Sequence, residues 1–187
     1  MSYIGYSPSS KPLTSADITD GIITNDDIAS GAAIAQSKIA GSFGKVLQVV
    51  STAKTTPFNT TSTSFTDVTG LSVSITPSSS SNKVLILVNF VSGNSAGSRL
   101  QYFNLVRGAT NIAQPTTLGS SFAQYNSGSD ELDNVAFHFL DSPSTTSSTT
   151  YKIQTKTNNS DNYVNIGDRS SGDLDCVSTI TAMEIAG

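Results

Sequence analysis

The stretch Lys83-Val-Leu-Ile-Leu-Val-Asn-Phe-Val91 decides the fold of this 187-residue chain. Its large apolar side chains occupy odd and even positions alike. Successive side chains of a β-strand point to opposite faces of the sheet, so both faces of this strand need apolar cover. A two-layered sandwich buries only the inner face of each sheet. We therefore expect the outer face of this strand to pack against another subunit.

A second segment, Val135-Ala-Phe-His-Phe-Leu140, has the same two-faced pattern. His138 stands between Phe137 and Phe139, and strand alternation places it on the face opposite these two rings. If the phenylalanines face the core, the histidine faces an interface or solvent.

From Val46 onward the chain consists of short β-rich segments separated by clusters of Gly, Ser, Thr, Asn and Pro. Segments at this spacing are typical of an antiparallel β-sandwich. The sequence predicts an all-β fold of jelly-roll type, preceded by an extended N-terminal segment with short helical turns. The predicted strands are Lys45–Thr52, Phe65–Ile75, Lys83–Val91, Leu100–Arg107, Asn134–Leu140, Thr150–Thr157, Tyr163–Ile166 and Val177–Ile185.

Composition excludes several classes of function. Only 13% of the residues are charged, the net charge is −4, and the ten Lys and Arg residues are not clustered. A nucleic-acid partner is therefore not expected, because phosphate binding needs a basic patch. No segment approaches the roughly 20 apolar residues of a membrane span, and the N-terminus lacks the features of a signal peptide. We expect neither membrane insertion nor secretion, and the single Cys176 cannot form an intrachain disulfide.

The first 43 residues follow a different pattern, in which Thr14-Ser-Ala-Asp-Ile-Thr-Asp-Gly21 is nearly repeated by Thr24-Asn-Asp-Asp-Ile-Ala-Ser-Gly31. Threonine followed three positions later by an acidic residue is a capping box, which begins a helical turn, and the glycine ends the turn. A third, degenerate copy is Ala35-Gln-Ser-Lys-Ile-Ala-Gly41.

Helical turns this short are not stable in isolation, because isolated helices become marginal only near 12 residues. Their isoleucines must find apolar neighbours outside their own segment, and copies of the same segment around a symmetry axis would supply them. The predicted shaft residues are Ile18, Ile22, Ile28, Ile34 and Ile39. The alternative interpretation is a flexible linker with incidental helical turns.

Several segments together resemble the tail-fibre proteins of tailed bacteriophages, especially those of marine and cyanobacterial phages. They are the opening Met1-Ser-Tyr-Ile-Gly5, the Thr-x-x-Asp-Ile-x-x-Gly spacer ending in Lys38-Ile-Ala-Gly41, Gly44-Lys-Val-Leu-Gln-Val-Val50, Asp67-Val-Thr-Gly-Leu-Ser-Val-Ser-Ile-Thr-Pro77, Leu105-Val-Arg-Gly108, Phe139-Leu-Asp-Ser-Pro143 and the closing Met183-Glu-Ile-Ala-Gly187. The strand count and the last strand are also similar to the trimeric jelly rolls of the tumour-necrosis-factor and complement-C1q type.

The resemblance implies a homotrimeric virion protein of the phage tail that is assembled in the host cytoplasm. Residues 1–13 would anchor it to the tail, the baseplate or an adaptor through Tyr3, Ile4 and Tyr6, although a frayed terminus is the alternative. Residues 14–43 would form a trimeric shaft. Residues 44–187 would form the β-sandwich that binds the host surface.

Catalytic chemistry is not expected. His138 is the only histidine and Cys176 the only cysteine, which leaves no ligand set for zinc, and no calcium-loop spacing is present. The acidic groups Asp130–Asp133 and Asp173–Asp175 are interpreted as solvated loop residues rather than paired glycosidase carboxylates. We predict no catalytic residue, no metal and no cofactor.

Binding of a host cell-surface glycan such as lipopolysaccharide is the favoured activity. Sugars present apolar C–H faces and many hydroxyls, which suit aromatic rings beside amides and carboxylates. Two long polar segments, Thr116–Asp130 and Thr157–Asp173, supply this mixture; ordinary polar loops are the alternative. The candidate ligand residues are Tyr125, Asn126, Asp130, Asp161, Tyr163, Asn165 and Arg169.

The sequence therefore favours a phage tail fibre that binds the host. The second choice is a virion structural protein without receptor contact, such as a head fibre or a tail connector. A secreted C1q-like or cytokine-like ligand is disfavoured by the lack of a signal peptide, and an enzyme is the last choice.

The shaft hypothesis predicts the effect of Ile28→Asp. A carboxylate at this position should disrupt N-terminal association, because it places charge where identical apolar side chains are expected to meet. Light scattering should show a smaller assembled mass, while circular dichroism and thermal unfolding of the sandwich should be unchanged. Loss of the β signal would contradict the division into two regions.

Overall fold

A computed structural model describes residues 23–29, 32, 46–115, 119–128, 131–158, 162–164 and 176–187. The chain divides into two compact units, Met1–Phe43 and Gly44–Gly187. The predicted anchor residues, and all predicted shaft residues except Ile28, lie outside the described part of the chain.

Gly44–Gly187 is built from antiparallel strands, which confirms the predicted β-sandwich. The described strands are β1 (Val46–Lys54), β2 (Phe58–Thr60), β3 (Thr66–Ile75), β4 (Lys83–Asn94), β5 (Arg99–Arg107), β6 (Thr110–Asn111), β7 (Phe122–Asn126), β8 (Leu132–Asp141), β9 (Thr149–Thr157), β10 (Asn162–Val164) and β11 (Ser178–Ile185). All eight predicted strands are present, with shifted ends.

The strands pair in a nested order across two sheets. In sheet A, β1 pairs with β11, and β4 pairs with β8 on one side and with β11 and β10 on the other; β2 extends the sheet beyond β10. In sheet B, β3 pairs with β9, and β5 lies between β9 and the strands β6 and β7. Apart from the short pair β2 and β10 in sheet A, the pairs are nested and alternate between the sheets: β1 with β11 in sheet A, β3 with β9 in sheet B, β4 with β8 in sheet A and β5 with β7 in sheet B. This order is that of a jelly roll.

Strand β4 places its even-numbered apolar residues in the core. Val84, Ile86, Val88 and Phe90 are at most 3% exposed. They pack with Phe103, Leu105 and Ile153 of sheet B and with Leu71, Val73 and Ile75 of β3. Burying one such side chain contributes about 1.5–3 kcal/mol, so this single strand supplies a large share of the apolar stabilisation.

The prediction that Thr116–Asp130 is a loop is wrong in the second half of the segment, because Phe122–Asn126 forms β7 and pairs with β5. The Phe122 ring stacks on Phe103 at a centroid distance of 5.1 Å and lies 4.9 Å from Phe137. Packing of this ring on the core gives the segment its strand conformation. The two-residue turn between β5 and β6 begins at Gly108, whose φ of 60° suits glycine.

In the N-terminal unit, Asn25–Asp27 forms a single 3₁₀ turn where the second repeat predicts a helical turn. The Asp27 carboxylate accepts hydrogen bonds from the Thr24 N–H and from the Thr24 hydroxyl, each at 2.8 Å. These hydrogen bonds lower the pKa of Asp27. The capping-box hydrogen bond from the threonine N–H to the acidic side chain is thus formed. The threonine hydroxyl donates to the same carboxylate instead of accepting a hydrogen bond from the backbone. Ile23 and Ile28 are exposed in the single chain.

Two polar clusters tie the sheets together at the end of the sandwich where β1 begins. Glu184 is 1% exposed, and its carboxylate accepts hydrogen bonds from Gln48 Nε2 at 2.5 Å, Asn82 Nδ2 at 2.5 Å, and the Ser78 backbone and hydroxyl at 2.6 and 2.7 Å. Burial acts to raise the pKa of Glu184, but these hydrogen bonds outweigh it and lower the pKa from 4.5 to about 2.

In the second cluster, the Asp141 carboxylate on sheet A accepts hydrogen bonds from Arg107 Nη1, at 3.0 Å to Oδ1 and 2.8 Å to Oδ2, and from the Tyr151 hydroxyl at 2.7 Å. Both donor residues lie on sheet B. Burial and the neighbouring carboxylate raise the pKa of Tyr151, so its hydroxyl remains a donor.

The Glu184 cluster predicts an acid-sensitive term in stability. A depressed folded-state pKa gives stabilisation that is complete above the unfolded pKa and is lost as the pH falls from about 4.5 through about 2. The loss is on the order of 3 kcal/mol. Urea unfolding between pH 5 and pH 2 should show a flatter profile for Glu184→Gln, which should also be less stable at pH 5. The control is Asp26→Asn, at an exposed position of the N-terminal unit, and equal slopes for the two variants would contradict the assignment.

Candidate functional site

The end of the sandwich opposite the start of β1 carries a buried polar layer. Along β4 the inward side chains change from apolar at Phe90 to polar at Ser92 and Asn94, which are 1% and 2% exposed. The Ser92 hydroxyl donates to Gln101 Oε1 on β5 at 2.5 Å, and Asn94 Nδ2 donates to Asn126 Oδ1 on β7 at 3.3 Å. These hydrogen bonds join the two sheets where the candidate binding segments connect to the strands. We call this part the loop end.

The predicted ligand residues that the structure describes differ in exposure to solvent. Tyr125 is 57% exposed on the outer face of sheet B. Asn126 is fully buried, and its Nδ2 donates to Asp133 Oδ2 at 3.0 Å. Tyr163 lies in β10 between β4 and β2 and is 8% exposed. These two buried side chains support the loop end and do not present a ligand-binding surface. Asp130, Asp161, Asn165 and Arg169 lie outside the described residues.

An aromatic strip on the outer face of sheet B leads up to Tyr125. Lys156 Nζ lies 4.8 Å from the centroid of the Phe65 ring and 5.2 Å from that of Tyr102. Tyr102 lies next to Lys156 on β9, and the neighbouring pair towards the loop end is Leu100 and Tyr125. The strip offers partly exposed rings, a phenol hydroxyl and a cation. Such a surface suits the C–H faces and hydroxyls of a sugar.

The outer face of sheet A is apolar and uncovered in the single chain. Strand register aligns Val49, Met183, Leu85 and Leu140 in one row across four strands. Val49 is 53% exposed and Leu140 48% exposed. The next row contains Ser51, Thr181, Leu87 and His138, with Leu87 39% exposed. This arrangement confirms that β4 and β8 carry apolar side chains on both faces and that His138 points away from the core. We call this surface the sheet A face.

A cleft of about 380 Å³ opens along one side of the sandwich, between β7 of sheet B and β8 of sheet A. Its lining residues are Phe122, Ala123, Gln124, Asp133, Asn134, Val135, Ala136 and Phe137. Gln124 Nε2 donates to Asp133 Oδ2 at 2.6 Å, whereas the buried Gln124 Oε1 has no hydrogen-bond partner. The acceptor that this edge cleft offers is the Asp133 carboxylate. The sequence did not reveal the cleft, because it depends on β7.

Within the described ranges, no cluster of three or more His, Cys, Asp or Glu side chains is placed to hold a metal ion. Among the same residues there is no helix of the length and apolarity that crossing a membrane requires.

No protein-family model matches the chain. No curated protein matches it either.

Solved structures similar to this chain come from infectious bursal disease virus. The Gt strain structure has a TM-score of 0.41 at 12% identity and covers 74% of this chain and 38% of its own. The Gx strain structure has a TM-score of 0.40 at 13% identity and covers 83% and 42%. A subviral particle of the VP2 protein has a TM-score of 0.40 at 14% identity, covering 74% and 38%.

This chain thus spans about two-fifths of the length of those viral proteins. TM-scores this low do not establish a common topology, so its function has to be inferred from its own surfaces.

Proposed function

We propose that this protein is a fibre of a phage tail that binds a glycan on the bacterial surface and acts without catalysis. The observation that carries the proposal is Tyr125, which is exposed on the outer face of sheet B, where it pairs with Leu100, two positions along β5 from Tyr102. The surface faces outward from sheet B, so a ligand reaches it without any change in the fold. The resemblance of the sequence to tail-fibre proteins supports the same function.

The arrangement of the sandwich fits attachment at one end and recognition at the other. The chain enters at Val46, which pairs with Ile185. The candidate binding segments connect to Asn126, Thr157 and Asn162, at the opposite ends of the strands. An anchor preceding residue 46 would therefore connect to the end of the sandwich that is remote from the ligand.

Self-association is the second part of the proposal. The sheet A face exposes three large aliphatic side chains, Val49, Leu87 and Leu140, within two adjacent rows, and soluble monomers rarely expose contiguous apolar surface of this kind. Identical copies gathered about an axis would cover it, and the resemblance implies three copies.

A virion structural protein without receptor contact is the second candidate. The apolar sheet A face favours it equally, because any assembled virion component needs contact surfaces. Only ligand binding separates the two candidates.

The proposed homotrimer predicts a solution mass of three times 19.4 kDa. Size-exclusion chromatography with light scattering at micromolar concentration measures it directly. A monomer would remove the proposed self-association.

The proposed binding surface predicts that Tyr125→Ala weakens labelling of host cells by the fluorescently tagged full chain. Loss of one stacking ring at a hot spot costs roughly 1–3 kcal/mol, which is about a 5- to 150-fold loss of affinity. Tyr125→Phe should retain most of the labelling, and Thr150→Ala on the same sheet is the matched exposed control. Labelling by the wild-type chain that Tyr125→Ala leaves unchanged would place the site elsewhere. Absence of labelling by the wild-type chain would favour the second candidate.

A further inference from the structure

We infer that the aromatic strip of sheet B binds a sugar that carries an anionic group, with Lys156 contacting the anion and the neighbouring rings contacting the sugar. The inference rests on the proposed function and names the class of glycan. A sugar carboxylate and a sugar phosphate share the required chemistry, which is an anion next to an apolar C–H face.

Lys156 is held in position by two rings and has no counter-ion. Its Nζ lies 4.8 Å from the centroid of the Phe65 ring and 5.2 Å from that of Tyr102. The register explains this arrangement, because Tyr102 pairs with Lys156, and Phe65 directly precedes Thr66, which pairs with Thr155. Among the residues that the structure describes, no carboxylate lies within ion-pair distance of this Nζ. A ring attracts a cation through its quadrupole without neutralising the charge, so the ammonium group can still bind an anion.

Lys152, four positions earlier on the same face of β9, is neutralised. Its Nζ lies 2.7 Å from Asp67 Oδ2, and Gln154 Nε2 donates to Asp67 Oδ1 at 2.8 Å. Asp67 is the acidic side chain among the described outward-facing residues of β3, β5, β7 and β9, and both of its carboxylate oxygens are engaged. The positive charge that this face offers to a ligand is therefore that of Lys156.

The strip is open along β5 only near the loop end. Leu100 and Tyr102 are partly exposed, whereas the next two residues on this face of β5, Asn104 and Val106, are 3% and 2% exposed. Asn104 Oδ1 accepts a hydrogen bond from the Ser121 backbone N–H at 3.1 Å. A ligand on this face is thus confined to the part of β5 that carries the aromatic ring.

The strip is longer than a single sugar ring. From Phe65 to Tyr125 it crosses from β3 to β7, which is three strand spacings or about 14 Å. Tyr125 and Tyr102 are diagonal neighbours on adjacent strands, about 7–8 Å apart. Lys156 can therefore contact an anionic group on one sugar while Tyr125 stacks on another sugar of the same oligosaccharide.

The charge of the whole chain restricts the glycan further. The net charge is −4, so a densely charged polyanion is repelled at long range. One cation on the strip suits a glycan in which anionic groups are separated by neutral sugars.

The inference is tested with two matched pairs of immobilised polysaccharides. One pair is hyaluronan, with one carboxylate per disaccharide, and hyaluronan whose carboxyl groups have been reduced to alcohols. The other pair is phosphomannan and the same polymer after its phosphates have been removed. Surface plasmon resonance with the full-length chain should show binding to at least one charged polymer and an affinity about three- to tenfold lower for its neutral form. The pair that shows the difference distinguishes a carboxylate from a phosphate.

Variants of the two lysines locate the effect. Lys156→Gln should lose the same factor towards the charged polymer and should bind the neutral form as the wild type does, whereas Lys156→Arg should retain the preference. Lys152→Gln is the matched control. It removes a charge about 13 Å along the same strand, beyond the Debye length of about 8 Å, and should stay within about twofold of the wild type.

Equal affinity for the charged and neutral forms, or equal losses in Lys156→Gln and Lys152→Gln, would overturn the inference and leave glycan binding in place. Absence of binding to both charged polymers would overturn it as well, and labelling of host cells by the wild-type chain would then show that the proposed function survives. Absence of host-cell labelling would remove the proposed function itself, so the two failures can be told apart.

Discussion

The two faces of β4 impose the constraint on which the rest of the structure depends. Its inward residues, from Val84 to Phe90, are buried between the sheets, and its outward residues Leu85 and Leu87 are part of an uncovered surface. Because side chains alternate along a strand, the core cannot take up the second set. The chain therefore folds as a sandwich but carries surplus apolar surface on sheet A. The residues of this surplus surface alternate along β4 with those that form the core.

The two sheets consequently differ in what they offer to other molecules. Sheet A has an apolar outer face with two ionisable side chains, Lys83 and His138, whereas sheet B displays Tyr102, Tyr125 and Lys156. A partner that buries apolar surface fits the first sheet, and a polar ligand with C–H faces fits the second. Under the proposed function, this division would place assembly and recognition on separate surfaces of one small domain.

Much of the fold was accessible from the sequence, because strongly alternating or uniformly apolar segments identify strands such as β4, β8 and β11. The short strands β2 and β6 were missed, since two or three residues carry no period. Strand β7 was missed because Phe122-Ala-Gln-Tyr-Asn126 contains one aliphatic side chain, and its pairing with β5 is a tertiary effect. The candidate site was harder to predict from the sequence, again because it depends on tertiary strand pairing. Asn126 lies in a segment with the composition of a loop, and Tyr163 begins a short predicted strand within a polar segment; pairing of β7 and β10 with their neighbours buries both side chains. Tyr125, one position from Asn126, remains exposed because alternation turns it outward.

The nested pairing also governs when the molecule can fold during its synthesis. Ser51 on β1 and Thr181 on β11 are hydrogen-bonded neighbours although 130 positions separate them. The strand that completes sheet A is thus the last of the described strands to leave the ribosome, and until then the first half of β4, Lys83–Asn89, has no neighbour on that side. Folds dominated by such distant pairings form slowly and pass through aggregation-prone intermediates. Chaperone binding, or rapid translation of the final strands, would shorten the time for which such a nascent chain is open to aggregation.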